Sequence, residues 1–191
     1  MITLIRIILL VVFILIDQRI DCQIKRFASD NIMWECNFEI DACHFRNQHN
    51  LAPFNRYFNN RNPLFGRKGL LLLNLNSRRV QKFPGSRLIS HYFPSRYREA
   101  CLFISYYATG YGAQNFYVIQ QDKENKCIFA DRRLQQKLNR WNEIEIQLDL
   151  RDGDPRFFLE IHYNKNIAGL FAIGRFSFGH GVCRQPQPNQ C

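Results

Sequence analysis

Cys36 and Cys43 stand seven apart in WECNFEIDACHF, residues 34–45, with Glu39 and Asp41 between them and His44 directly after. Three chemistries compete for that set. A zinc site would use Cys36, Cys43 and His44, but the spacing lacks the paired two-residue knuckle of structural zinc centres. Proton transfer would use Glu39 and Asp41, yet carboxylates one residue apart on a short loop face water or cap local amides instead. A disulfide staple needs only an oxidising compartment. Elsewhere, His91, His162, His180 and the serines could be drawn as a hydrolase, but no G-x-S-x-G elbow or other nucleophile motif accompanies them. They read as satisfied or exposed histidines. GYGAQ at 110–114 lacks the length and the following helix of a phosphate loop and reads as a turn. The sequence therefore supplies no catalytic residue, no metal ligand and no cofactor motif, and the expected protein is not an enzyme.

The staple reading depends on location. Ile2 to Ile16 is apolar apart from Thr3 and Arg6, with ten unbroken apolar residues from Ile7 to Ile16. A spanning helix needs roughly 20, so the run matches a signal-peptide core. Cleavage is expected after Cys22 or close by, with an uncleaved signal anchor as the alternative. No later segment approaches spanning length. The expected layout is a signal peptide at 1–22, an N-terminal segment at 23–35, one domain at 36–183 and a proline-containing tail at 184–191, in a secreted chain.

Of the seven cysteines, six remain after Cys22 leaves, an even number that predicts three bridges. Counting alone leaves the connectivity open. A Cys36–Cys43 pair would close a small local loop, and a Cys101–Cys183 pair would tie distant strands together. In the chain-entropy picture these stabilise by about 2 and about 4–5 kcal/mol respectively. Cys127 and Cys191 are left to join each other or another chain.

Removing residues 1–22 takes away Arg6, Arg19, Asp17 and Asp21, so the mature chain keeps 24 basic and 14 acidic residues, a net charge of +10. Outside the cell such charge points away from nucleic acid and toward acidic glycans, anionic surfaces or acidic protein partners, with solubility alone as the alternative. The basic positions that would meet such a partner are Arg78, Arg79, Lys82, Arg87, Arg96, Arg98, Arg132 and Arg133.

Strands dominate the elements that must position these residues. EIEIQLDL at 143–150 alternates apolar and polar over eight residues, the mark of a strand with one buried face. RDGDP at 151–155 is a turn, and FFLEIHY at 157–163 resumes as a strand, so the two segments read as a hairpin. Further strands are expected at 69–75, 101–108, 115–121 and 172–178. The best helix candidate, 131–139, is short. The polar stretch 52–62 is expected to be an exposed loop, and the 184–191 tail an extended appendage. Many short strands between turns favour an all-β sandwich of antiparallel strands, and 17 Phe, eight Tyr and two Trp supply its core.

CNFEIDAC at 36–43 resembles the opening signature of the MAM domain family, and the likeness continues in order. GLLLLNLNS (69–77), GSRLISHYFP (85–94), ACLFISYYATG (100–110), NRWNEIEIQLDL (139–150) and SFGHGVC (177–183) resemble the family's later segments. The resemblance implies a jelly-roll-like sandwich with bridges Cys36–Cys43 and Cys101–Cys183. It also implies an extracellular module for adhesion or assembly that binds protein partners or a second copy of itself; the alternative is a glycosaminoglycan-binding module using the basic positions above. Two departures stand out. The family's late acidic strand is LFAIGRF here, with Leu170, Gly174 and Arg175 at the acidic positions, and Phe45 stands where Trp is common.

Overall fold

The computed structural model describes residues 32–188 and 191; the expected signal segment, Cys22 and residues 23–31 lie outside the described residues. Eleven strands follow in chain order: β1 (Ile32–Cys36), β2 (Arg46–Asn47), β3 (Asn55–Phe58), β4 (Gly69–Asn74), β5 (Ser86–Ile89), β6 (Glu99–Gly110), β7 (Ala113–Gln121), β8 (Asn125–Asp131), β9 (Trp141–Asp149), β10 (Arg156–Tyr163) and β11 (Gly169–His180). They form two antiparallel sheets. One runs β3-β4-β11-β6-β9, with β1 beside β11, and the other β2-β5-β10-β7-β8. The all-β sandwich expected from the sequence is the fold.

Alternation along each strand decides which side chains meet between the sheets. On β9, Ile144, Ile146 and Leu148 are buried; on β7, Phe116 and Val118. The centre is aromatic: Phe38, Phe93, Tyr106, Phe116, Phe157, Phe171, Phe176 and Phe178 are all fully buried. Phe45 joins them, with its ring 5.0 Å from that of Phe176, so an aromatic is kept at that position. Burying one such side chain contributes about 1.5–3 kcal/mol.

Four local readings change. The 143–150 and 157–163 segments are strands, but not a hairpin: β9 pairs with β6, whereas β10 lies between β5 and β7 in the other sheet. The RDGDP turn carries the chain across the sandwich, because alternation reports a buried face and not a neighbour. Part of the expected 52–62 loop forms β3, an edge strand that needs only β4's backbone as partner. Strands β1, β2, β5 and β8 fall where no strand is expected from the sequence. The 131–139 helix candidate shrinks to a single 3-10 turn at Leu134–Gln136.

The tail, expected as an extended appendage with Cys191 joined to Cys127 or to another chain, lies against β9. The amide of Gln187 donates to Glu145 O at 2.7 Å, Pro186 bridges to Glu145, and the amide of Gln185 donates to the Glu145 carboxylate at 2.8 Å. Edge strands expose backbone groups that seek partners, and the tail supplies some to β9. Cys191 then bonds to Cys127 on β8, the edge of the opposite sheet. The tail is a strap from one sheet to the other. The other bridges are Cys36–Cys43 and Cys101–Cys183, with Cα separations of 6.0 and 5.1 Å.

Candidate functional site

Strand registers bring four connections to one end of the sandwich: 75–85, 111–112, 132–140 and 164–168. Asn74 lies opposite Leu170, Gly110 opposite Gly169, Trp141 opposite Tyr107, Tyr163 opposite Ala113 and Asp131 opposite Phe116. These connections hold eight basic residues and no acidic one: Arg78, Arg79, Lys82, Arg132, Arg133, Lys137, Arg140 and Lys165. All but the half-buried Lys137 are exposed.

The loops are fastened to one another and to the strand ends. Leu75 N donates to Gly169 O (3.0 Å), Gly169 N to Asn76 Oδ1 (3.1 Å), Gly112 N to Ala168 O (3.1 Å), Asn164 N to Gly112 O (2.9 Å) and Asn139 N to Ala108 O (2.8 Å). The Tyr163 hydroxyl donates toward Val80 O and Phe83 O, and burial pushes its pKa up to about 12. Gly110, with φ of 69°, makes the tight reversal that brings β6 into β7.

One carboxylate organises this end from below. Asp131 is buried and accepts from the Tyr106 hydroxyl at 2.6 Å, Lys137 Nζ at 2.9 Å and the Arg133 amide at 3.0 Å. Burial alone would raise its pKa, but the hydrogen bonds from Tyr106, Lys137 and Arg133 outweigh it and hold the group below its usual value. Burial, then the bond to Asp131, drives Tyr106 far above an ordinary phenol. Among the described residues the other seven cations of this end pair with no carboxylate side chain. Arg132 donates to Cys191 O at 3.2 Å.

The structure thus gathers Arg78, Arg79, Lys82, Arg132 and Arg133 and separates the other three expected contact residues. Arg87 lies on the face of the β5–β10 sheet, locked to Glu160, with Gln48 accepting from its Nη1 and burial lowering its pKa. Arg96 and Arg98 sit in the 90–98 connection at the opposite end, where Arg98 approaches Asp149 at 4.0 Å. Sequence reasoning missed Lys137, Arg140 and Lys165, although the acid-free run RRLQQKLNR at 132–140 signals two of them.

Two histidines also differ from expectation. His91 is half-buried, and its Nδ1 and both buried ring nitrogens of His180 have no hydrogen-bond partner among the described residues. They pack on rings instead: His91 lies 4.2 Å from Phe93, and His180 4.1 Å from Tyr97. Burial lowers the pKa of both, with further lowering from His44 on His91 and from Arg96 on His180. His162 is exposed, as expected. Asp41 Oδ1 accepts from the Cys43 amide at 2.6 Å, a local cap.

The late-strand departure has its own architecture. Gly174 sits beneath Trp141 and Arg67, where any Cβ would meet Trp141 Cη2 at 2.5 Å. The Arg67 guanidinium lies 4.0 Å from the Trp141 ring centre and donates to Ser105 Oγ at 2.8 Å. Arg175 pairs with Glu35 at 2.9 Å. An arginine–tryptophan stack occupies the face of this strand.

The sequence model of the MAM domain (meprin/A5/mu) matches residues 36–184. No curated protein matches the chain. Among solved structures, the family 22 carbohydrate-binding and catalytic modules of Clostridium thermocellum endo-1,4-β-D-xylanase 10B, complexed with xylohexaose, share 11% identity at a TM-score of 0.55. There 83% of this chain is covered, and it spans only 30% of that one. The C-terminal family 22 module of Clostridium thermocellum Xyn10B gives 10% identity and a TM-score of 0.57, covering 83% of this chain and 100% of that one. A cleaved adhesin domain of Lys-gingipain from Porphyromonas gingivalis gives 9% and 0.56, covering 78% and 98%. At such identities the likeness is one of fold.

Proposed function

The chain belongs to the MAM domain family, and from that premise we propose that it is a secreted, non-catalytic recognition module whose acid-free loop end docks an acidic surface on an extracellular or cell-surface protein. The observation that carries this reading is the set of four loops with eight cations and no acid, held to one another or to the neighbouring strand ends by hydrogen bonds. A field of one sign on a rigid frame steers an oppositely charged partner and speeds encounter. Self-association through this end would bring like charges together, so a second copy would have to dock elsewhere on the sandwich.

A second reading has support from the same loops. Seven exposed cations without carboxylate side-chain partners among the described residues suit a glycosaminoglycan, whose charges repeat along a chain. A heparin column distinguishes the two. Elution only at high salt, with Arg132→Ala/Arg133→Ala shortening retention, favours the glycan. Flow-through at physiological salt removes it and leaves the protein partner. Loss of cell-surface or partner capture by the same double variant is the outcome expected of the protein reading, and unchanged capture would sink it.

A further inference from the structure

A cleft of about 480 Å³ opens between β2 and the segment leaving β5, away from the loop end's cations; it is lined by His44, Arg46, His49, His91, Tyr92 and Arg156, together with Asn47, Gln48, Ile89 and Ser90. No carboxylate lines it. Its walls are fixed from behind. Asn47 exchanges two hydrogen bonds with the Phe54 backbone at 2.8 and 3.0 Å, and Ser90 Oγ accepts from Phe157 N and donates to His91 O, both at 2.8 Å. Gln48 is engaged by Arg87. Those polar groups are spent on the fold, and others remain for a ligand.

The groups that remain have a definite chemistry. The Arg46 side chain is exposed and forms no hydrogen bond or ion pair among the described residues, and the Arg156 side chain gives only Nε to Gln121, so guanidinium donors are free for a carboxylate. Tyr92 is 56% exposed, with Arg156 stacked 5.0 Å from its ring centre, and it offers the flat apolar surface on which a sugar ring packs. Three imidazoles complete the wall, and a neutral imidazole carries one donor and one acceptor, the complement of a hydroxyl. The volume lies within the range of small-ligand sites. An acidic peptide side chain would use the guanidiniums alone and leave the tyrosine and histidines idle.

We propose that this cleft binds a carboxylated sugar, with Arg46 and Arg156 on the carboxylate, Tyr92 against the ring and the histidines on its hydroxyls. The site goes beyond the loop-end reading and is independent of it. The same chemistry is found in a uronate within a polysaccharide and in a terminal sialic acid. NMR titration of the full exported chain with a hyaluronan tetrasaccharide, 3′-sialyllactose and lactose tests the site and separates the sources. Saturable shifts at cleft residues with one carboxylated probe, and none with lactose, are expected. Tyr92→Ala and Arg46→Ala should each weaken binding about tenfold with the melting temperature preserved, while Arg132→Ala/Arg133→Ala leaves it unchanged. No saturable shift with either acidic probe at millimolar concentration, equal binding of lactose, or binding lost only in the loop-end variant would each overturn the proposal. The loop-end variant keeps this outcome distinct from failure of the proposed function.

Discussion

Asp131 is worth more to this molecule than its single charge suggests. Three donors converge on one buried carboxylate, and all three, the Tyr106 hydroxyl, Lys137 Nζ and the Arg133 amide, would lose an acceptor if it were removed. Breaking a buried pair from one side typically costs about 3 kcal/mol or more. Asp131→Ala is therefore expected to lower stability by about 3 kcal/mol in urea unfolding, and to raise amide exchange across 132–140. A loss below about 1 kcal/mol would show that the network is not organising the loop. Gly174 makes the complementary case. A Cβ there would stand 2.5 Å from Trp141 Cη2 and 2.6 Å from Arg67 Cδ, so Gly174→Ala should cost about 1–3 kcal/mol by overpacking. Adding Trp141→Ala should recover part of that loss in a double-mutant cycle; additive losses would mean that the tryptophan is not what the methyl meets.

At the scale of elements, legibility in the sequence followed the strength of local pattern. Strands β4, β6, β7, β9, β10 and β11 were readable because long apolar or alternating runs mark them. Strands β1, β2, β3, β5 and β8 were not: β1, β2 and β5 are short, and NRYF and NKCIFAD mix polar and apolar residues at sheet edges, where only one neighbour and part of one face are buried. The β9–β10 pairing was misread because the decision between sheets is made by contacts far away in sequence. The basic loop end was half legible: the cations could be counted, but only strand register places 75–85 beside 132–140. The histidine cleft was invisible for the same reason, since His44, His91 and Arg156 come from three distant segments. The strap makes a prediction at this scale. Cys127 and Cys191 are 64 residues apart, and a bridge of that span stabilises by about 4 kcal/mol in the chain-entropy picture. Cys127→Ser/Cys191→Ser should lower stability by up to about that much and release 184–188 to rapid amide exchange, while the two other bridges persist in peptide mapping. Unchanged exchange in the tail would mean that the Glu145 hydrogen bonds hold it unaided.

The whole molecule joins a neutral aromatic interior to a cationic surface, and its pH response follows from groups trapped between the two. His91 and His180 both have lowered pKa values, chiefly from burial. Near neutral pH they are uncharged in both folded and unfolded chains and contribute no pH dependence. Below about pH 6.5, the ordinary histidine value, the unfolded chain takes up protons that the folded chain refuses, so stability falls as pH drops toward the folded values. Asp131 acts in a separate window: its lowered value stabilises the fold above the ordinary aspartate range, and that contribution disappears only under stronger acid. Thermal melts should therefore be level between about pH 8 and 7 and decline from about pH 6.5 to 5. The group facing His91 from the first bridged loop is His44, with Arg46 and Arg156 nearby in the cleft wall, while Arg96 and the Tyr97 ring adjoin His180. These neighbours are basic or neutral, so none rescues the protonated imidazole. His91→Gln/His180→Gln should flatten the decline between about pH 6.5 and 5 and leave the steeper loss in strong acid intact. A wild-type melting temperature that rises on acidification through that range would mean the two imidazoles are stabilised as cations, contrary to their burial.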